Sequence, residues 1–201
     1  MNISINYENL SNEDKILLDK IIKKANAKKI KLSDIKDGDN FKIGDVEFIK
    51  FSDIGGITIA VTKDTVFNSE FGKDNNFTKS TVYKRLNDEF LPEISELVGN
   101  ENICDITTDL TTLDGLKPYE NLVSKISLPT FDFYRKNVEI FDKYKLDCWW
   151  WLATPESAKP HDNPNWIVCV SPCGRVNVYY YNGGVRPILH FVSSISVSCK
   201  D

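Results

Sequence analysis

Cysteine is scarce and one-sided. The first 100 residues have none, and the five present stand at positions 104, 148, 169, 173 and 199. An odd number confined to half the chain excludes the dense disulfide framework of a small secreted domain. Cys169 and Cys173 are four apart, not a Cys-x-x-Cys pair, and no second pair joins them at zinc-ribbon spacing. Reduced, partly buried thiols are the expectation, with one disulfide among Cys148, Cys169, Cys173 and Cys199 left open. His161 and His190 are the only histidines. No residue set calls for a metal, a cofactor or a catalytic centre.

Positive charge is not in excess either. Lys and Arg number 25 against 29 Asp and Glu, a net charge of -4, so the chain gains no general attraction to phosphate backbones. Nucleic acid is not an expected partner. The best basic run, Lys23, Lys24, Lys28, Lys29 and Lys31, falls mostly on a predicted helix and reads as a solvated face. No apolar run approaches membrane-spanning length, so no membrane insertion is expected. Residues 1–10 are acidic and polar where a secretion signal needs basic and then apolar residues. A soluble chain, cytoplasmic at synthesis, is expected; virion association or release without a signal peptide stays open. The 10 Gly and 8 Pro are spread out, leaving no low-complexity linker.

What is present supports a real core. Hydrophobic residues make up 41% of the 201, with 11 Phe, 8 Tyr and 4 Trp, which excludes wholesale disorder. The length allows one or two domains. The expected division is an arm and helix over 1–30 and a single domain over 31–201. Ser11 can cap a helix with Asp14 at the capping-box distance. Ile16, Leu17, Leu18, Ile21, Ile22 and Ala25 then recur at helical spacing, predicting an amphipathic helix over 12–27. Its apolar face needs the main domain or a neighbouring subunit to pack on, so a homo-oligomer is an open expectation.

Phe41-Lys42-Ile43 and residues 46–51 alternate about a Gly44-Asp45 turn, and Ile57-Thr58-Ile59-Ala60-Val61 follows Gly55-Gly56, predicting an antiparallel meander. Residues 68–78 read as an ordered loop. A helix carries Val82, Tyr83, Leu86 and Phe90, with Pro92 ending or bending it and 91–98 adding a turn. A short edge-like strand over 125–129 stops at Pro129, and 131–138 reads as a short helix.

The organising stretch runs from Cys148 to Leu189. Strand alternation puts Trp149 and Trp151 on one face and Trp150 and Leu152 on the other. Three consecutive tryptophans cannot all enter one core, so at least one lines a pocket, a second core or an interface. Pro172-Cys173-Gly174-Arg175 reads as a hairpin turn. Tyr179 and Tyr181 share a face opposite Tyr180. Asn182-Gly183-Gly184 reads as a turn using positive φ. Residues 188–192 close the sheet, with one more strand possible at 195–197.

In the order of these motifs the span from about Leu32 to Val192 resembles a family of bacterial and phage domains catalogued as domain of unknown function 6273. The motifs are Gly38 to Gly44, Ser80-Thr81-Val82-Tyr83-Lys84-Arg85-Leu86-Asn87-Asp88-Glu89-Phe90, the segment 126–129, Trp150-Trp151-Leu152-Ala153-Thr154, Gly174, and Gly184-Val185-Arg186-Pro187. Ala153 departs from the family, which usually has arginine there. The family is in turn similar to C-type-lectin-like folds, including the formylglycine-generating enzymes and phage receptor-binding proteins. The resemblance implies an α+β fold: a mixed, mostly antiparallel sheet with two or more short helices and a long loop region, here preceded by the N-terminal helix.

Fold does not set function. The leading expectation is a non-catalytic module that binds a protein or carbohydrate surface through Glu156, His161, Asp162, Asn163, Trp166, Tyr179, Tyr180 and Tyr181. Tyr and Trp give large contacts at modest ordering cost, and the polar residues supply hydrogen bonds. Each aromatic can equally be structural, Trp166 as a core residue at a strand start. Glu156, Asp162 and Asn163 could supply some oxygen ligands of a calcium ion, but the lectin triplet is missing, with Asn163-Pro164-Asn165 only an echo. Arg186 is expected to reach backbone carbonyls or a carboxylate, Asn87 to bond from helix to loop, and Trp150, Trp151, Gly174, Gly184 and Pro187 to be structural. The alternatives are an assembly protein using the N-terminal helix, and a metal- or thiol-dependent enzyme of the formylglycine-generating type. Asp132 and Asp142 lack a glycosidase context.

Overall fold

The computed structural model describes residues 7–26, 29–158, 165–179 and 181–199. Helix α1 spans Asn12–Asn26. Ser11 Oγ accepts from the Asp14 amide at 3.1 Å and donates to the Asp14 carboxylate at 2.7 Å, so Ser11 caps the helix and Asp14 answers through the hydroxyl. Strand β1 follows at Lys29–Lys31.

Turn chemistry then sets a meander of β2 (Asn40–Ile43), β3 (Val46–Ile54) and β4 (Ile57–Thr62). Gly44 has φ +60° and Asp45 does not turn positive, as a two-residue hairpin of the II′ kind requires; Ile43 pairs with Val46. At the next turn Gly55 and Gly56 both have positive φ, and Ile54 pairs with Ile57.

Residues 68–78 are not wholly a loop: β5 forms at Phe67–Glu70 and a 3-10 turn at Phe77–Lys79. The polar face of β5 hides its strand character from a pattern search, and its pairing comes from a distant segment. Next, α2 (Thr81–Arg85), a π turn (Leu86–Phe90) and α3 (Leu91–Val98) run on as one helix. The Leu91 amide bonds Leu86 O, five residues back. The wide turn immediately precedes Pro92, which cannot donate and would crowd the carbonyl four residues before it, so the helix widens rather than ends.

Short strands β6 (Ile103–Cys104), β7 (Ile106–Thr108), β8 (Leu122–Ser124) and β9 (Ile126–Ser127) come next. The helix expected over 131–138 is two helices, α4 (Phe131–Lys136) and α5 (Val138–Lys143), parted at Asn137. Asn137 leaves the helical region and spends its side chain on Phe133 O. The remaining strands are β10 (Trp150–Pro155), β11 (Ile167–Val170), β12 (Val176–Tyr179), β13 (Asn182–Val185), β14 (Ile188–Val192) and β15 (Ser196–Cys199).

The architecture is α+β with mostly antiparallel pairing. One sheet runs β1-β15-β2-β3-β4-β14-β6, with β9 also on β14; a second runs β12-β11-β10-β13-β5; β7 and β8 pair apart. The β10–β13 pair, Trp150 against Gly184, is parallel. Each large sheet feeds two cores. Phe48, Ala60, Leu189 and Trp151 join Leu86 and Ile94 in one; Ile49, Val61, Ile188 and Trp150 join Tyr134 and Phe141 in the other. The tryptophan alternation therefore divides between two cores, with Trp149 packed half-buried against the first.

The Asn182-Gly183-Gly184 turn is a correction. These residues lie in β13, and neither glycine has positive φ. They are needed for close approach. A Cβ on Gly183 would stand 2.6 Å from the Trp151 ring, and one on Gly184 would stand 2.4 Å from Thr65 Cγ2 and 3.2 Å from Trp149 O.

Candidate functional site

Thr154 and Pro129 fix one wall of an open cleft. The Ala153 amide donates to Pro129 O, and the Phe131 amide donates to Thr154 Oγ1 at 2.8 Å. Thr130 caps α4 by accepting from the Phe133 amide. These bonds set Phe131, Asp132 and Arg135 along the cleft, where Asp132 and Arg135 form an exposed ion pair at 3.1 Å.

The opposite wall is the segment after β7. Asp109 Oδ1 accepts from the Thr111 amide at 2.9 Å and from its hydroxyl at 2.5 Å. The Thr111 hydroxyl, then its amide, then Lys117 hold the Asp109 carboxyl below its ordinary range. It is ionised at neutral pH. Thr112 is tied to Asp114 and Leu116. The cleft volume is about 220 Å³, below the ~300–1,000 Å³ of sites for drug-sized ligands. It suits one small polar unit.

This cleft lies at the root of the loop expected to bind. The Leu113 amide donates to Pro155 O, and Ser157 Oγ donates to Asp114. Asn75, which the sequence did not single out, clamps both sides of that loop: its buried amide donates to Ser157 O at 2.9 Å and to Trp166 O at 3.1 Å. Tyr119 donates to Asn75 Oδ1 at 2.7 Å, fixing which way the amide points.

His161, Asp162, Asn163 and Tyr180 lie outside the described residues, and with them most of the proposed calcium ligands. Glu156 is half-buried and its amide donates to Trp166 O. Trp166 is half-buried just before β11. Tyr179 stacks on Trp149 with centroids 5.8 Å apart and meets Tyr181 at 5.4 Å; Tyr181 is exposed. The Trp149–Tyr179–Tyr181 stack thus continues the first core outward.

Arg186 is buried at the crossing from β13 to β14. Its Nε donates to Thr62 O at 2.7 Å, and its guanidinium lies over the rings of Trp150 and Phe141. Burial, partly offset by Asp64, lowers its pKa to about 10, so it stays charged at neutral pH. Pro187 O accepts from the Thr62 amide. Gly174, at φ +81°, accepts from Tyr134 Oη at 2.8 Å. Asn87 is a correction: from within the π turn its side chain bonds Tyr83 O in the same helix, and not a loop.

Cys104, Cys148, Cys169 and Cys173 are free thiols, which closes the open disulfide among the described pairs. Burial pushes the Cys169 thiol up to about 12, leaving it protonated; Cys173 is exposed, and the Ser171 hydroxyl lowers its pKa. His190 pairs across the ladder with Cys104, and burial lowers its pKa. Asp132 and Asp142 line different depressions. Among the described residues no helix is long and apolar enough to cross a membrane, and no three His, Cys, Asp or Glu cluster as a metal site. Comparisons with protein-family profiles, curated proteins and solved structures find no match for this chain.

Proposed function

We propose that the chain is a non-catalytic binding module whose cleft takes a sugar unit of a glycan. The observation that carries this is the lining of the cleft: ionised Asp109, the Asp132–Arg135 pair, the hydroxyls of Thr111, Thr112 and Thr154, and the Phe131 ring. Carboxylate and guanidinium groups accept from and donate to vicinal hydroxyls, and an aromatic face packs on the C–H side of a sugar. Asn75 and Asp114 hold the root of the adjoining loop in place, which lowers the ordering cost of contacts made from it. A lectin-like arrangement and kinship with domain of unknown function 6273 belong to the same reading. Their support is the mostly antiparallel pairing and the short helices.

A glycan array with the native chain, Asp132→Ala, Arg135→Ala and Trp166→Ala tests it. Binding by the native chain that the first two variants lose is the expected result. A silent array with capture of a protein partner at the same residues moves the ligand to a protein surface. Silence in both ends the proposal.

A second reading, assembly, rests on α1. Ile16, Leu17 and Ile22 are 58%, 57% and 46% exposed, so these three apolar side chains are uncovered while Leu18 is half-buried. Light scattering on the native chain and on Ile16→Glu/Leu17→Glu decides: equal monomer mass in both rules assembly through this helix out. No observation favours the thiol-enzyme reading, since Cys169 is protonated and Cys173 stands exposed on its own turn.

A further inference from the structure

Arg186 presents an unsolved charge. Its Nη2 is buried and has no hydrogen-bond partner among the described residues. Buried donors are almost always paired, and a charged one left unpaired is the costliest kind. None of the ion pairs among the described residues includes it. It remains protonated at neutral pH despite its burial.

The same residue lines a small cavity between α5 and the 171–174 turn. Trp150 and Phe141 form an apolar floor there, and Asp142 and Lys145 stand in the lining, paired with each other at 3.4 Å. Lys145 and Arg186 are cationic and Asp142 is anionic, so the lining carries one uncompensated positive charge. The cavity volume is about 10 Å³, about the room that a single water-sized ligand needs. Phosphate, sulfate and carboxylates do not fit.

We propose that this cavity is a binding site for one single-atom anion of halide size, in practice chloride. Size limits the occupant to a water or a single-atom ion, and charge decides between the two. A water molecule would satisfy Nη2 but leave the guanidinium with only the partial, non-contacting compensation of Asp64 in a poorly solvated place. A halide accepts from Nη2 and neutralises it. The anion would then tie the β13–β14 crossing to α5 and the hairpin turn, making the core around Trp150 sensitive to chloride rather than to ionic strength at large.

Thermal unfolding in sodium chloride and in sodium gluconate at matched ionic strength tests this, with diffraction from crystals grown in bromide. The native chain should melt about 3 °C higher in chloride, saturating with concentration, and bromide should give an anomalous peak in the cavity. Lys145→Glu, a half-exposed lining change that leaves the core intact, should abolish the difference by turning the lining's single excess positive charge into a negative one. Arg186→Met should abolish it too if that variant folds. Equal melting in the two salts with no bromide peak in the cavity overturns the proposal. So does a chloride effect that Lys145→Glu leaves untouched.

Discussion

The guanidinium carbon of Arg186 lies 5.3 Å from the ring centroid of Trp150, and the same distance from that of Phe141. With Nε bonded to Thr62 O, one side chain joins β10, β4 and α5 at the point where the chain passes from the second sheet to the first. A desolvated cation over two aromatic faces is worth about 2 kcal/mol or more, and a hydrogen bond from a charged donor about 1.5–3 kcal/mol.

Arg186→Lys keeps the charge but loses the planar stack and the Nε bond. It should cost about 2–3 kcal/mol in urea unfolding, with little change in the slope. A loss below about 0.5 kcal/mol, the range of an ordinary surface change, would mean that the stacked geometry contributes nothing.

Gly183 and Gly55 should respond to alanine for different reasons. At Gly183 the new methyl would meet the Trp151 indole at 2.6 Å, and overpacking costs about 1–3 kcal/mol. At Gly55 nothing stands within 4 Å, and φ is +61°, so only the left-handed backbone is penalised, by about 1–2 kcal/mol. Near-ultraviolet circular dichroism separates the two: Gly183→Ala should alter the tryptophan signal, and Gly55→Ala should leave it unchanged.

That contrast shows what could be read from the chain. The hairpins at Gly44 and Gly55-Gly56 are decided within four residues, and the division of Trp150 from Trp151 follows from the two-residue period of a strand. Asn182-Gly183-Gly184 looks the same locally as a turn. What makes it a strand is an indole arriving from β10 and the pairing of β13 with β5. The cleft was illegible for the same reason. Asp109, Phe131, Arg135 and Thr154 come from three separate segments, none with a periodic or motif signal, and Asn75 is one asparagine among many polar neighbours. Of the expected loop only the roots, at residues 156–158 and 165–166, are described, and the Asn75 and Asp114 contacts that hold them were not foreseen.

Burial holds the His190 imidazole below its ordinary value. The folded chain keeps it neutral at pH values where the unfolded chain has begun to take up a proton. The stability from this group is therefore full above the unfolded value, about 6.5, and is lost as pH falls through the lower folded value. Cys104 faces it across the ladder, and Ile59 stands on its other side. The melting temperature should decline in that window, ahead of carboxylate titration, and His190→Gln should flatten the decline. An unchanged slope in the variant assigns the effect to another group.

The thiols should rank by environment. Thiolate is the reacting species, so exposed Cys173, lowered by Ser171, should take iodoacetamide first under native conditions. Buried Cys169, pushed up to about 12, should react only after denaturation. Mass spectrometry of peptides from a timed reaction reads both. Native labelling of Cys169 at the rate of Cys173 would show that β11 opens at its Asn177 contact.

Asn75 offers the sharpest test of the loop root, because its amide has a defined orientation. Oδ1 accepts from Tyr119, and Nδ2 donates to two carbonyls. Asn75→Ala removes all three bonds while Trp166 O keeps the Glu156 amide, a loss of about 2 kcal/mol. Asn75→Asp is nearly the same shape and keeps the Tyr119 contact, yet sets an anionic oxygen against Ser157 O and Trp166 O. Repulsion adds to the lost donations, so the isosteric change should be the worse of the two, at about 3 kcal/mol or more. It should also weaken glycan binding more than Asn75→Ala does, because the loop root is pushed apart rather than merely released. If unfolding shows Asn75→Asp to be the milder change, the amide points the other way and the clamp on residues 157 and 166 does not exist.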